Sequence, residues 1–243
     1  MKKIIFGFTA TVLLMCNSNA QTNNPNNQLG VDIVAATRVI YKDYKDGKIN
    51  NINQEVLDHY FKTLLPNYPS TKLEEFNNIL SSLKSANNAS IIKGSGYSEQ
   101  GKAFLQKSLE SYSITKLVDE VKSSKINKKE KDDILTVLAI NYNLIKSFFE
   151  EKPSQTTKGC YDLDDSDSYS LSLINKSGGV NTVIFGGLGY VLGTAFCVPC
   201  GIVGSVIGLV FGGWADDKGI RPTIHSGPGS SGPGSSTGWT PQP

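Results

Sequence analysis

Histidine is almost missing from this chain, with only His59 and His225 among its 243 residues. Nucleophilic catalysis of the Ser-His-Asp or Cys-His kind needs an imidazole held beside its nucleophile. Neither histidine has such company: His59 follows Glu55 by one helical turn as a surface pair, and His225 stands in a Gly/Ser/Pro tail. Excess charge of one sign is lacking too. Twenty-four Lys and Arg against 22 Asp and Glu leave a formal charge of +2, which provides no electrostatic footprint for nucleic acid. Cysteine is sparse. Of Cys16, Cys160, Cys197 and Cys200, the one close pair cannot complete a four-ligand zinc site. No phosphate-cradling glycine loop is present either, so no enzyme, metal or cofactor is expected.

Charge is absent altogether between Lys176 and Asp216, and large aliphatic residues alternate with glycine there. Gly204, Gly208 and Gly212 recur every four residues and so share one helical face, and Gly189 and Gly193 repeat the spacing earlier. An interior glycine costs a helix in water about 1 kcal/mol relative to alanine. In lipid, small residues let two backbones approach and pack. Val183, Ile184, Leu188, Val206, Ile207 and Val210 form the remaining face, which hydrocarbon would accept. One span of a bilayer needs roughly 20 helical residues, so the run is too long for one pass and short for two. Pro199 and Gly201 break it near the middle, because proline lacks a donor and glycine tolerates left-handed backbone. The expectation is a hairpin with arms 180–198 and 201–214, open to a re-entrant or tilted arrangement. Cys197 and Cys200 flank its tip, where a disulfide between them is one reading and free thiols another.

This pattern resembles the glycine-zipper hairpins of small bacterial envelope proteins and, more loosely, the Gly-rich apolar cores of membrane-permeabilising bacteriocins. The resemblance covers about a sixth of the chain. It implies membrane insertion and self-association into homo-oligomers through the glycine faces, with no catalytic residue. The cysteines of the Cys-Val-Pro-Cys element depart from the usual zipper.

Residues 1–20 read as a signal peptide: Lys2 and Lys3 precede an apolar stretch from Ile4 to Met15, and Ser18-Asn19-Ala20 supplies small residues for cleavage. Cys16 offers a second reading as a lipidated cysteine, against which the bulky Met15 stands. Residues 21–28 are a polar spacer, and residues 29–152 carry helical periodicity with enough apolar positions for one core. Val31, Val34, Ala35 and Val39 mark the first stripe, ended by Gly47. Further helices carry Leu57 with Phe61, Leu73 with Phe76 behind a Thr71/Glu74 capping box, Phe104 with Leu105, and Leu117 with Val121. The last starts near Asn127 with Glu130 three residues on. The stretch 85–96, rich in Asn and Gly, reads as a loop. Lys128, Lys129 and Lys131 interleaved with Glu130, Asp132 and Asp133 read as a solvated helix start. Residues 153–177 form an acidic linker whose aspartates 162–167 lack EF-hand geometry. Residues 215–243 form a disordered tail with a repeated Gly/Pro/Ser unit.

The fold class expected is therefore all-α: an N-terminal helical bundle, a Gly-rich apolar helical hairpin and a disordered tail. The role expected is that of a non-catalytic, exported protein of the bacterial cell envelope, with the hairpin tethered to or inserted in a membrane. Two alternatives stand beside it: a secreted bacteriocin-like or pore-forming toxin whose bundle shields the hairpin, and a soluble helical binding protein with the hairpin buried. Mass measurement of the exported chain is expected to place its first residue at Gln21; an N-terminus at a lipid-modified Cys16 would select the other export route.

Overall fold

A computed structural model describes residues 23–49, 51–68, 70–85, 88–109, 113–151 and 200–217, together with 186, 187, 189, 190, 193 and 194. The signal peptide, the linker, residues 218–243 of the tail and Cys197 lie outside the described residues; residues 215–217, expected to begin the disordered tail, instead complete the last helix. Helix α1 is Asn27–Lys45, α2 Gln54–Leu64, α3 Leu73–Ser85, α4 Asn88–Gly94, α5 Glu99–Ser108, α6 Ile114–Ser123, α7 Lys128–Glu151 and α8 Cys200–Asp217. Gly186, Gly187, Gly189, Tyr190, Gly193 and Thr194 are also helical and belong to the first arm of the apolar run. Among the described residues there is no strand.

Local chemistry starts and stops these helices. Asn53, Ser98 and Ser113 each accept a backbone N–H from the first turn of α2, α5 and α6, which satisfies donors that have no partner within the helix. Asn127 and Glu130 form the reciprocal box at the start of α7. The Glu130 N–H donates to Asn127 Oδ1 at 2.9 Å, and the Asn127 side-chain Nδ2, in place of the backbone N–H of the usual box, donates to Glu130 Oε2 at 3.1 Å. Gly47, at φ +72°, closes α1 in the left-handed conformation that glycine accepts without strain. At α3 the cap differs from expectation. Glu75, not Glu74, takes the Thr71 hydroxyl and the Lys72 N–H.

Helix α7 is the axis of the bundle. Every residue from 133 to 142 is buried, and a helix enclosed on all sides must be surrounded by others. Helix α1 packs along it, α5 and α6 cover another side, and α4 packs on α5. Helix α8 lies against α1 and α3. The buried face of α1 is Gly30, Ile33, Val34, Ala36 and Thr37, whereas Val31 and Val39, expected inside, are 38% and 43% exposed. Glycine explains the rotation: a Cβ on Gly30 would stand 2.6 Å from the Ala139 carbonyl carbon, so the closest approach of α1 to α7 runs through Gly30.

Two further expectations are corrected. The stretch read as a loop contains α4, because burial of Ile91 and Ile92 at 4% and 5% exposure outweighs the turn-forming composition around them. The start of α7 is not wholly solvated. Glu130 is 4% exposed and Asp133 8%. Glu130 Oε1 accepts the Ser98 N–H and hydroxyl, both at 2.7 Å, and a Cβ on Gly101 would overlap that carboxylate.

Substitution at two glycines is expected to shift stability in opposite directions. Gly30→Ala should cost about 1–3 kcal/mol through overpacking against α7. Gly94→Ala, with open space around it, should be neutral or stabilise by up to about 1 kcal/mol. Urea unfolding followed by circular dichroism measures both, and a destabilising Gly94→Ala would contradict the assignment of α4.

Candidate functional site

The apolar run does not stand apart from the bundle. In α8, Cys200 and Ser205 are 0% exposed and Leu209 1%, and Ile202, Val206 and Ile207 are also buried. Val206 and Ile207, expected on a lipid-accepting face, belong instead to the same apolar core as α1, α3 and α7. Tyr190 of the first arm is buried with them. Among the described residues, no helix is long and apolar enough to cross a membrane. The physical reason for this placement is that each arm is apolar on every side except its glycine stripe, so in water both stripe and flanks need cover.

Glycines bring the two arms together. A Cβ on Gly189 would overlap the Gly204 carbonyl and stand 3.3 Å from the Gly208 Cα; one on Gly204 would overlap the Gly189 carbonyl; one on Gly193 would overlap the Cys200 carbonyl and stand 2.9 Å from the Gly201 Cα. Gly189, Gly193, Gly204 and Gly208 thus meet in a single seam within one chain, and Gly212 is buried one turn further on. Gly186 presses on Leu209 in the same manner, with Ile140 of α7 next to it. Gly187 faces α7, where Val137 and Asn141 stand 3.0 and 3.3 Å from its Cβ position.

Polar groups clasp the tip end of the first arm. The Tyr97 hydroxyl, in the segment before α5, donates to Asp133 Oδ2 at 3.2 Å and lies 3.2 Å from the Thr194 hydroxyl. Tyr190 donates to the other Asp133 oxygen at 3.5 Å, and Lys129 closes on Oδ2 at 2.8 Å. Desolvation is the largest cause raising both phenols, with the Asp133 charge adding to it: Tyr190 is pushed up to about 12 and Tyr97 further. In the sequence Tyr190 shows only that it falls inside the first arm. Its acceptor lies 57 residues away, so spacing alone does not reveal the clasp.

The second arm is fastened at Cys200, whose sulfur lies 3.5 Å from Thr71 Oγ1 and 3.7 Å from Glu75 Oε2. Cys200 is disulfide-bonded, and its partner sulfur lies outside the described residues. A disulfide sulfur has no proton to give, so Glu75 takes its hydrogen bonds from Thr71 and Lys72, which hold it below the usual carboxylate range. Two polar residues in this region have no hydrogen-bond partner among the described residues: the side-chain amide of Asn141 and the hydroxyl of Ser205, both fully buried. Leaving such groups unpaired costs about 1–3 kcal/mol each.

A cavity of about 370 Å³ opens beside the hairpin, between the C-terminal half of α1, α2, α3 and the Val206–Ile207 step of α8. Its walls are almost wholly carbon. The chain matches no protein-family model, no curated protein and no solved structure.

The clasp carries a pH signature. A phenol raised by folding contributes stability that is complete below its unfolded value, about 10. That contribution is lost as pH rises through the folded value of about 12. Two late-ionising tyrosines are therefore expected in an ultraviolet phenolate titration. Tyr190→Phe should remove one of them and flatten the alkaline fall in stability, whereas an unchanged titration would exclude Tyr190 as a buried, clasped phenol.

Proposed function

We propose that this is a non-catalytic exported protein that carries a glycine-zipper hairpin in a sheltered state and delivers it to a membrane, in the manner of a secreted permeabilising toxin. The observation that carries this reading is the burial of Ile202, Val206, Ile207 and Leu209 of α8, with Tyr190 of the first arm, in one core with α1, α3 and α7. A hairpin resident in lipid turns its aliphatic face outward to the acyl chains. Here Val206 and Ile207 of that face are turned inward, which favours a shielded hairpin over the permanent envelope tether to which the glycine pattern first pointed. The signal-like residues 1–20 supply the export route, and the cell envelope of a target is the proposed destination.

The seam between the arms supports the delivery step. Because Gly189 and Gly204 close on each other within one chain, the hairpin can leave the bundle as a unit without exposing its glycine backbone. Pairing of copies through the same glycines would first have to open that seam, so the proposed inserted form stays paired within the chain. The clasp at Asp133 and the unpartnered Asn141 and Ser205 act in opposite directions: one holds the arms in, and the others make the sheltered state less favourable than an all-apolar core would.

A second reading, a helical binding protein with a buried hairpin, draws on the apolar cavity. Dye release separates the two. Purified full-length protein is expected to empty vesicles, faster for Tyr97→Phe/Tyr190→Phe, in which the clasp is loosened. Absence of leakage across neutral and anionic lipids, from acidic to neutral pH, would remove the membrane role and leave the binding protein.

A further inference from the structure

We infer that the cavity beside α8 is a binding site for a single-chain anionic amphiphile, a free long-chain carboxylate. At about 370 Å³ it falls within the range of about 300–1,000 Å³ usual for small-molecule sites. Phe76 and Leu80 of α3 form one wall and Val56 of α2 another, with Val206 and Ile207 as the floor. At the mouth, Tyr44 and Ile52 leave large apolar surface open to water, 45% and 39% exposed.

The chemistry of the lining selects the occupant. Among the described residues, Lys84 is the only charged side chain lining the cavity, and no carboxylate pairs with it. The Tyr60 hydroxyl is already committed to Asp43 at 2.9 Å. A peptide laid here would bury amides against carbon with nothing to receive them, which is unfavourable. An acyl chain has no polar group to satisfy, and one terminal carboxylate matches one terminal ammonium through a charge-assisted hydrogen bond. The apolar lip of Tyr44 and Ile52 would cover the methylenes next to the head group.

The site does not rest on the membrane reading. It joins it at one point: the floor is the second arm of the hairpin, so an acyl chain in the cavity touches the sheltered hairpin and binds only the closed arrangement. A ligand with that preference raises the apparent stability of the closed state by mass action.

The test uses full-length mature protein without vesicles and cis-parinaric acid as the fluorescent probe, kept below its aggregation limit. Saturable one-to-one binding is expected, displaced by hexadecanoate, together with a higher melting temperature in its presence. Lys84→Glu should weaken the carboxylate about tenfold or more while leaving the methyl ester unchanged. Ile52→Trp, at an exposed position that leaves the core intact, should obstruct the mouth and weaken both, with circular dichroism checking the fold. Binding that does not saturate, or that neither variant alters, overturns the proposal. Vesicle leakage is measured separately, so loss of the carboxylate site and loss of the membrane role give different patterns.

Discussion

Backbone-to-backbone contact between the two arms, at Gly189 with Gly204 and at Gly193 with Cys200, is the constraint on which the rest of the structure depends. Two helices usually pack 8–10 Å apart, according to the side chains between them. With no side chain at the seam, the arms close further and make a thin apolar unit. Such a unit fits beside α7 and against α1 and α3, and a Cβ at either seam glycine would force the arms apart. The same absence of side chains recurs at Gly187 against α7 and at Gly30 between α1 and α7. Close approach is a repeated device in this fold.

That arrangement has a thermodynamic consequence. A glycine-rich helix is a poor helix in water, so the hairpin derives its order from burial and from the bundle around it. Buried Ile33, Ile79, Leu138 and Leu209 belong to one continuous core, which makes bundle and hairpin cooperative. Asp133 lies where these interests meet. It is on the central helix, largely enclosed, and it receives hydrogen bonds from Tyr97, Tyr190 and Lys129. Loss of that carboxylate would loosen the clasp on the first arm at several points together, because buried polar networks respond collectively.

The opposing features are as informative. Asn141 and Ser205 are fully enclosed and have no partner among the described residues, and a core serving stability alone would gain by replacing them with apolar groups. The large cavity with an exposed apolar lip also withholds packing that the fold would otherwise obtain. Closely joined arms, a polar clasp and a core with unpaired groups are mutually consistent with the proposed reading of a hairpin that is held rather than permanently installed.

Local features were legible where the physics is local. The helical periods, the left-handed turn at Gly47, the Asn127/Glu130 box and the glycine spacing follow from backbone sterics and from contacts three or four residues apart, which a sequence displays directly. Direction was not legible. The stripe of α1 was read one step round the helix, since the sequence does not show that Gly30 is the point pressed against Ala139. Helix α4 was hidden by turn-forming residues until Ile91 and Ile92 found a core. Glu130 and Asp133 looked like surface charges because their partners Ser98, Tyr97 and Tyr190 are distant in the chain. By itself, then, the sequence determined that an uncharged glycine-laced segment needs cover and that residues 29–152 are helical. Only the tertiary structure decided that the cover is the protein's own bundle, because apolar surface is satisfied equally by lipid or by protein, and composition does not distinguish the two.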